Sequence, residues 1–318
     1  MNILITGAAG FLGSALANKL VQEGHQVRGL DDCSTGDPAI LLPEVFFTRG
    51  DVNDRPKLWT VLQDVDVVFH MAARVSVPES VLYPREYNTV NVGGTVNLME
   101  AMRDVGNKRI IFISSGAVYG EQKGQFFKED AEPKPRSPYA VSKFAAENYV
   151  RTIGISAGIE TVILRVFNAY GPGQAIPPAH APVIPAFIRQ SIRNGTIVVN
   201  GDGNQTRDYV YVDDVVTAMV AAATAPRTNG LVINIGSGQC SSIKEVVKKI
   251  IELTGGKPQV VYNTRVDGGV NHMRAEIFQA LKKLNYKPSI DLETGLRLTL
   301  ERDPRFVVSE LDDIDRRR

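Results

Sequence analysis

The sequence predicts an α/β protein built on a doubly wound parallel sheet, and three observations carry that prediction. Short β-branched runs alternate with longer amphipathic stretches over the first two-thirds of the chain. The β-branched runs are continuously apolar, as expected of strands covered by helices on both faces. Strand–helix alternation of this kind implies right-handed crossovers between parallel strands.

The elements follow in order along the chain. Five strands are predicted, at 2–6, 27–31, 65–72, 109–114 and 161–167. Helical patterns are predicted between and after them, at 11–23, 89–105, 138–153, 242–254 and 275–284. A Pro- and Gly-rich span, 171–185, interrupts this alternation. The sequence therefore predicts a dinucleotide-binding domain over 1–170 and a smaller α/β domain, mainly for substrate, over 171–318, with the chain free to cross back.

Composition restricts the class of protein. The 318 residues are 43% hydrophobic and 22% charged, which is ordinary for a globular protein. Lys plus Arg (36) nearly balances Asp plus Glu (35), so we expect a small-molecule ligand and no nucleic acid. No apolar run reaches the roughly 20 residues that span a membrane. With only Cys33 and Cys240 and no signal-peptide pattern at the start, a cytoplasmic protein is expected.

The stretch "ITGAAGFLGS" places Gly7, Gly10 and Gly13 between the first strand and the first helix. Glycines there permit a tight turn and a close approach to a pyrophosphate, which the helix N-terminus attracts. Asp31 follows 18 residues after Gly13, at the end of the second strand, where a carboxylate binds a ribose diol and repels a 2′-phosphate. Arg28 lies nearby within that strand. The pattern predicts a Rossmann-type site for NAD rather than NADP. A glycine-rich turn without a ligand is the alternative.

In "SPYAVSKFAAENYV", Tyr139 and Lys143 stand four residues apart after a Ser-Pro helix start. On a helix they share one face, with Cβ atoms within about 6 Å. A tyrosine has a pKa of about 10, so a tyrosine base at neutral pH needs about 4 kcal/mol of phenolate stabilisation, which nearby cations supply. The alternative is a surface Tyr–Lys pair. A second pair, Tyr119 and Lys123, has Gly120 after a strand end, which disfavours a helix.

The chain resembles the extended short-chain dehydrogenase/reductase family, and within it the nucleotide-sugar epimerases typified by UDP-glucose 4-epimerase. The resemblance covers nearly the whole chain and rests on motifs in family order. These are "TGAAGFLGS", "LDDCSTG", "RGDVND", "FHMAARVSVPES", "NVGGTVNLMEA", "ISSGAVYG", "SPYAVSK", "LRVFNAYGPGQ" and "GDGNQTRDYVYVDDVV".

The resemblance implies a role for each matching residue. Tyr139 becomes the general base, Lys143 the residue that holds the nicotinamide ribose and lowers the tyrosine pKa, and Ser115 the hydroxyl at the sugar oxygen. The implied cofactor-binding residues are Gly7, Gly10, Gly13, Phe11, Leu12, Asp31, Asp51, Val52, Ala72, Asn91, Tyr139, Lys143 and Phe167. The implied substrate-binding residues are Ser76, Ser115, Tyr139, Asn168, Arg207 and Arg265. For Asp51, a plain turn is an equal alternative; for Arg207 and Arg265, a structural salt bridge is the alternative. No metal site is predicted.

The implied reaction is epimerisation of a nucleotide sugar at C4 through a transient 4-keto sugar, with a UDP-hexose or UDP-hexuronic acid favoured and NAD as the cofactor. Family dehydratases and decarboxylases carry a carboxylate after the catalytic hydroxyl, where this chain has Gly116 and Ala117. Glu121 or Asp213 could still reach in. The alternatives are a dehydratase, reductase or dehydrogenase on the same scaffold, and a non-catalytic NAD-binding regulator.

Three stretches depart from the family pattern. The stretch "TRVDGGVNHMRAE" holds one residue more than the family's Arg-x-Gly-acid stretch, which leaves the alignment of Arg265 with the family open. Met273 stands at the pocket position that governs tolerance of N-acetyl sugars, and its flexible side chain leaves that tolerance open. The loop "PPAHAPVIP" is unusually rich in proline. A homodimer through the helices 89–105 and 138–153 is expected from the resemblance.

Overall fold

The computed structural model describes residues 1–122, 124, 126–265 and 270–307. Its centre is a sheet of seven parallel strands in the order β11-β6-β5-β4-β1-β2-β3. The strands, in chain order, are β1 (Asn2–Thr6), β2 (Gln26–Asp31), β3 (Phe46–Arg49), β4 (Val67–His70), β5 (Arg109–Ser115), β6 (Glu160–Val166), β7 (Asn168–Tyr170), β8 (Thr196–Asn200), β9 (Thr206–Arg207), β10 (Tyr209–Tyr211), β11 (Leu231–Ile235), β12 (Ser241–Ser242) and β13 (Gln259–Asn263).

Helices cover both faces of this sheet. The helices of the described residues, in chain order, are α1 (Phe11–Gln22), α2 (Arg55–Val61), α3 (Val77–Leu82), α4 (Pro84–Tyr87), α5 (Gly94–Val105), α6 (Pro138–Ala157), α7 (Val183–Ile192), α8 (Val212–Thr224), α9 (Ile243–Thr254), α10 (Phe278–Leu284) and α11 (Leu292–Arg302). Across 1–122, 124, 126–265 and 270–307, no helix is both long and apolar enough to cross a bilayer.

Alternate residues of the inner strands enter two separate cores. In β1, Ile3 and Ile5 belong to one hydrophobic cluster and Leu4 to the other. The same division occurs in β4, where Phe69 and Val68 face opposite sides. Both faces of each strand are therefore buried, which explains why these strands read as continuous apolar runs. The prediction of an α/β fold with a Rossmann-type parallel sheet is confirmed.

The strand order reverses next to β1, because β2 pairs on one side of it and β4 on the other. In open α/β sheets such a reversal opens a crevice at the carboxyl ends of the strands, where ligands bind. The glycine turn after β1, Asp31 at the end of β2 and Ser115 at the end of β5 all lie at this edge.

The five predicted strands form within two residues of their expected ends, and the helices differ more. The predicted helix 89–105 begins with a π-helical turn, Asn88–Gly93, before α5. The last predicted helix, 275–284, is shorter as α10, because Ala275 bridges Phe127 in a β-contact.

The chain from residue 168 onward forms two kinds of structure. Small strand pairs (β7 with β10, β8 with β13, β9 with β12) stand outside the main sheet. In contrast, β11 returns to the edge of the main sheet beside β6. The latter half therefore contributes to the sheet as well as to the structure above its carboxyl edge.

Candidate functional site

The glycine turn is packed too closely for side chains. A Cβ on Gly7, which has φ +74°, would lie 2.7 Å from the backbone N of Ala72. A Cβ on Gly13 would lie 2.0 Å from the carbonyl oxygen of Gly7. Gly10 is the N-cap of α1 and offers no side-chain cap, so the N–H groups around Phe11 and Leu12 remain for an anion. This cradle fits a pyrophosphate.

Asp31 closes the cradle from the end of β2. Its two carboxylate oxygens accept hydrogen bonds from the backbone N–H of Ala9 (3.0 Å) and of Cys33 (2.8 Å). Burial raises the pKa of Asp31, and these backbone donors oppose the rise. Arg28 points away and donates to the carbonyl of Val61 (3.2 Å) at the end of α2. The site therefore presents a carboxylate and no neighbouring cation from Arg28, which suits a ribose diol.

Three further predicted cofactor residues lie along the same edge. Asp51 forms a turn in which its carboxylate accepts from the backbone N–H of Asn53 (2.8 Å), and it is exposed. Val52 is buried against Gly94 of α5. Ala72 follows β4 and donates its N–H to the hydroxyl of Thr6 (3.3 Å). The turn role of Asp51 is observed, and its contact with an adenine stays a prediction.

A buried chain of hydrogen bonds links β1, β4 and the π-helical turn. Thr6 Oγ1 lies 2.7 Å from His70 Nδ1, and His70 Nε2 lies 2.9 Å from Thr95 Oγ1. Because Thr95 donates to the carbonyl of Asn91 (2.6 Å), it accepts from His70, which places the imidazole proton on Nε2. Burial, with the charge of Lys143, lowers the pKa of His70 to about 3. His70 is therefore a neutral structural link between the glycine turn and Asn91.

Asn91 connects this chain of hydrogen bonds to α6. Its side-chain amide donates to the carbonyl of Arg74 (3.0 Å) and to Ser142 Oγ (2.9 Å), and its oxygen accepts from the Arg74 N–H (2.8 Å). Ser142 in turn donates to the carbonyl of Tyr139 (2.8 Å). Asn91 thus holds the first turn of α6 against the loop after β4.

Tyr139 and Lys143 lie on the buried face of α6. Ser137 caps this helix by accepting from the N–H of Ala140 (3.1 Å), and Pro138 occupies its first turn. The two side chains are 8% and 4% exposed. The surface-pair alternative is therefore wrong, because neither group faces open solvent.

Ser115 completes the group from the end of β5. A hydrogen bond from Ser115 lowers the pKa of Tyr139, but burial dominates and raises that pKa overall. The ring of Tyr139 packs edge-on against Tyr87 at 6.4 Å between centroids. Ser115 Oγ also accepts from the N–H of Ala117 (3.1 Å), which fixes its direction. A phenolate at position 139 therefore requires positive charge nearby.

Lys143 supplies one such charge. Its Nζ lies 4.5 Å above the centroid of the Phe112 ring, a cation–π contact. Burial lowers the pKa of Lys143 to about 8, and Glu147 opposes this shift. The ammonium is therefore the main form at neutral pH.

The predicted substrate residues form a second group. Among them, Asn168 donates to the carbonyl of Asp208 (3.1 Å), next to Phe167, a predicted cofactor residue that is buried beside Gly116. Arg207 donates to the carbonyls of Thr206 (2.9 Å) and Val270 (2.5 Å), and burial lowers its pKa.

Ser76 and Arg265 take part in local hydrogen bonds. Ser76 is the N-cap of α3, accepting from the N–H of Glu79 (3.4 Å). Arg265 lies on an exposed turn after β13, and its N–H donates to Asn263 (3.3 Å). Residues 266–269, part of the stretch predicted to hold the extra residue, lie outside the described residues. The substrate roles of Ser76 and Arg265 stay predictions.

The two carboxylates considered as further acids are engaged at the surface. Glu121 pairs with Arg136 (3.2 Å) and Asp213 with Arg302 (2.9 Å).

Tyr119 lies in a 3₁₀ turn, Gly116–Tyr119, and Lys123 lies outside the described residues. The Pro-rich loop is anchored at its start, where Gly173 donates to Asp303 (2.9 Å) and Arg305 to the carbonyl of Gln174 (2.8 Å).

Sequence reasoning missed several residues that shape the site. Asp208 is buried and accepts from Ser237 N–H and Oγ (both 2.7 Å) and from the N–H of Gly238 and of Ala275 (both 3.0 Å). It thereby joins three segments beside Asn168. The sequence around Asp208 gave no signal of this buried role, because all of its hydrogen-bond donors are distant in sequence. Glu147, by contrast, follows Lys143 by one helical turn and was detectable from that spacing.

The comparisons with known proteins agree on one family. The model of the NAD dependent epimerase/dehydratase family matches residues 3–236. A UDP-glucose 4-epimerase from Thermotoga maritima, solved with UDP-glucose, superposes with a TM-score of 0.90 at 35% identity, covering 95% of this chain and 98% of that one.

Two further proteins with other activities are similar to nearly the same extent. A UDP-glucuronic acid 4-epimerase from Bacillus cereus, solved with UDP-glucuronic acid and NAD, gives a TM-score of 0.88 at 33% identity, covering 95% of this chain and 98% of that one. A UDP-N-acetyl-alpha-D-glucosaminuronate decarboxylase from Bacillus cytotoxicus is 33% identical, covering 94% of this chain and 96% of that protein.

Proposed function

Because the chain belongs to the NAD-dependent epimerase/dehydratase family, we propose that it is a nucleotide-sugar 4-epimerase that acts on a UDP-hexose or UDP-hexuronic acid. The family resemblance and the NAD cofactor predicted from the sequence are confirmed. The observation that carries the proposal is the position of Tyr139, Lys143 and Ser115. Tyr139 and Lys143 are buried and Ser115 is half-buried, at the carboxyl edge of the sheet that also bears the glycine turn.

The glycine turn and Asp31 are the residues that would hold NAD. The turn offers backbone N–H groups to the pyrophosphate, and Asp31 accepts from the ribose hydroxyls. When bound, NAD⁺ accepts a hydride from the sugar carbon and returns it. Lys143 and Asn91 are proposed to hold the nicotinamide end, as the family resemblance implies.

Tyr139 then removes the proton from the sugar C4 hydroxyl. Lys143 stabilises by its charge the phenolate form of Tyr139 that accepts this proton, and Ser115 holds the sugar oxygen by hydrogen bonding. The 4-keto sugar turns over in the pocket, so that its opposite face would receive the hydride back, and Tyr139 returns the proton to the sugar oxygen. Because both the hydride and the proton are restored, there is no net oxidation. Because the hydride returns to the other face, the configuration at C4 inverts.

Two features support inversion over elimination or decarboxylation. A Cβ on Gly116 would lie 3.2 Å from the ring of Phe167, so an acidic side chain there does not fit without a shift. Asp213 is paired with Arg302 at the surface. Glu121 is paired with the exposed Arg136, and its charge also acts on Arg207. Inversion is therefore supported by Gly116 and by the surface pair of Asp213.

Asn168, Arg207, Arg265 and Ser76 are proposed to bind the nucleotide sugar, and Phe167 is proposed to bind the cofactor. Arginine guanidinium groups match phosphate oxygens in geometry, which favours Arg207 as a diphosphate contact. We propose that the segments outside the main sheet after residue 170 form the substrate unit.

The test is Tyr139→Phe assayed with UDP-glucose, UDP-glucuronic acid and UDP-N-acetylglucosaminuronic acid, with products identified by NMR. We expect the purified protein to convert one of the first two without added cofactor, and Tyr139→Phe to lose at least about 10²-fold in rate. A product lacking the carboxylate, or unchanged conversion by Tyr139→Phe, would show the proposal to be wrong.

We also propose a cytoplasmic homodimer. Val141 and Tyr149 on α6 and Leu82 and Tyr83 near α3 are large, apolar or aromatic, and exposed by 46–63%. Sedimentation of Val141→Asp tests this: it should run as a monomer, whereas Phe46→Glu, at the far sheet edge, should still dimerise. A monomeric wild type would contradict the proposal.

A further inference from the structure

A buried ion pair lies directly behind the Tyr139–Lys143 pair. Glu147 follows Lys143 by four residues on α6, and both side chains are buried. The Glu147 carboxylate accepts from Arg165 Nε (3.0 Å) and from an Arg165 terminal nitrogen (2.7 Å) in a two-pronged contact. Ser114, next to Ser115, also donates to it. Two strands therefore hold this carboxylate in one position.

Arg165 is itself held firmly. Its guanidinium lies 4.6 Å above the centroid of the Tyr119 ring, and Tyr119 donates its hydroxyl to Asn234 (2.7 Å). One of its terminal nitrogens is buried without a hydrogen-bond partner among the described residues. A buried arginine with an unmet donor is costly unless its carboxylate is present. Glu147 thus has one evident role, as the counter-ion of Arg165.

The surroundings of Lys143 suggest a second role. Its ammonium faces the ring of Phe112, and next to that ring lies His70, which is neutral because it is buried. Tyr139 is on the same helix face and is uncharged in its resting form. Among these neighbours, Glu147 is the carboxylate whose charge acts on Lys143. Arg165, beyond it, adds a second cation to the same buried region.

We propose that Glu147 is a positioning residue that keeps Lys143 protonated. Its carboxylate, fixed by Arg165 and Ser114, stands one helical turn from the lysine and offsets the loss of water around the ammonium. Lys143 is then able to stabilise the phenolate of Tyr139. This inference rests on the proposed function only for that last step.

The test measures the protonation of Lys143 directly. Protein labelled with a carbon isotope at lysine Cε and loaded with NAD is titrated by NMR, and Lys143→Met assigns the resonance. In Glu147→Gln, Lys143 loses an attractive charge and keeps the repulsive Arg165, so its titration midpoint should fall by about 1–2 pH units. Glu160→Gln is the control, since it removes an exposed carboxylate paired with Arg109 on a neighbouring strand and should leave the midpoint unchanged.

A second variant covers the risk that Glu147→Gln does not fold. Glu147→Gln with Arg165→Met removes both charges of the pair and leaves no buried lone cation. Its Lys143 midpoint should lie below that of the wild type and above that of folded Glu147→Gln. A midpoint unchanged from the wild type, in the double variant or in folded Glu147→Gln, overturns the proposal and leaves Glu147 as a counter-ion of Arg165 only.

The sugar assay is read separately. If the protein is the proposed epimerase, the alkaline limb of its pH–rate profile should move to lower pH together with the Lys143 midpoint. A purely structural role would lower the rate equally at every pH. If no variant converts any nucleotide sugar, the proposed function fails, while the NMR midpoints still decide the role of Glu147.

Discussion

Replacing Gly13 by alanine tests the packing of the glycine turn. Gly13 lies in the first turn of α1, where alanine is intrinsically favoured over glycine by about 1 kcal/mol. Yet a Cβ there would lie 2.0 Å from the carbonyl oxygen of Gly7 and 2.8 Å from its carbon, against an ordinary contact that begins at 3.4 Å. The helix and the turn must therefore separate by about 1.4 Å, the difference between 3.4 and 2.0 Å.

The energetic cost follows from what the new methyl group meets. Overpacking costs about 1–3 kcal/mol in general, and the upper end applies here because both neighbours are backbone atoms that cannot rotate away. We expect Gly13→Ala to lose about 3 kcal/mol in free energy of unfolding, measured by urea denaturation. Affinity for NAD should fall at least about tenfold, because the displaced N–H groups no longer converge on the pyrophosphate.

Gly93→Ala is the matched control. A Cβ on Gly93 meets its nearest atom, Asn53 Oδ1, at 3.6 Å, which is an ordinary contact. Its stability should stay equal or rise by up to about 1 kcal/mol. If Gly13→Ala unfolded at the same urea concentration as the wild type or a higher one, the close approach of α1 to the turn would be refuted.

Three further predictions concern single side chains. Burial lowers the pKa of His70 from 6.5 to about 3, so between these pH values the unfolded state binds more protons, and the free energy of unfolding should fall by up to about 1.4 kcal/mol per pH unit as the pH drops below 6.5. Urea unfolding of His70→Asn should show a smaller fall in this free energy with decreasing pH. An equal dependence on pH in the wild type and the variant would contradict a neutral buried histidine. Asp31→Asn should weaken NAD binding by about 1.5–3 kcal/mol and reduce the ratio of NAD affinity to NADP affinity, both measured by calorimetry. An unchanged ratio would rule out Asp31 as the residue that selects NAD over NADP. Arg207→Gln should raise KM for the nucleotide sugar more than Arg207→Lys does, with NAD affinity unchanged, and equal KM values would remove Arg207 from the diphosphate site.

The local parts of the site were predictable because their signals are local. Ser137, Pro138 and the spacing of Tyr139 and Lys143 determine a capped helix with both side chains on one face, whatever the rest of the chain does. The glycine turn and Asp31 follow from steric and charge requirements that are written in a short stretch. Continuous apolar strands indicated a sheet covered on both faces before any pairing was known.

Other features depend on pairings between distant segments. The return of β11 to the main sheet, the buried carboxylate of Asp208 and the chain from Thr6 through His70 to Asn91 join residues that are up to 69 positions apart, as β11 and β6 show in pairing Leu231 with Val162. The composition and the periodicity of the sequence do not predict such partners.

The sequence by itself determined the layered α/β fold, the dinucleotide cradle and the tyrosine–lysine spacing, because each follows from backbone sterics and periodicity within one or two elements. Only the tertiary structure decided that Tyr139 and Lys143 are buried, that Glu121 and Asp213 turn to surface arginines, and that Arg165 and Glu147 form a buried pair behind the lysine. The charge state of a side chain depends on the water and the ions around it, and these are set only when distant strands and helices pack together.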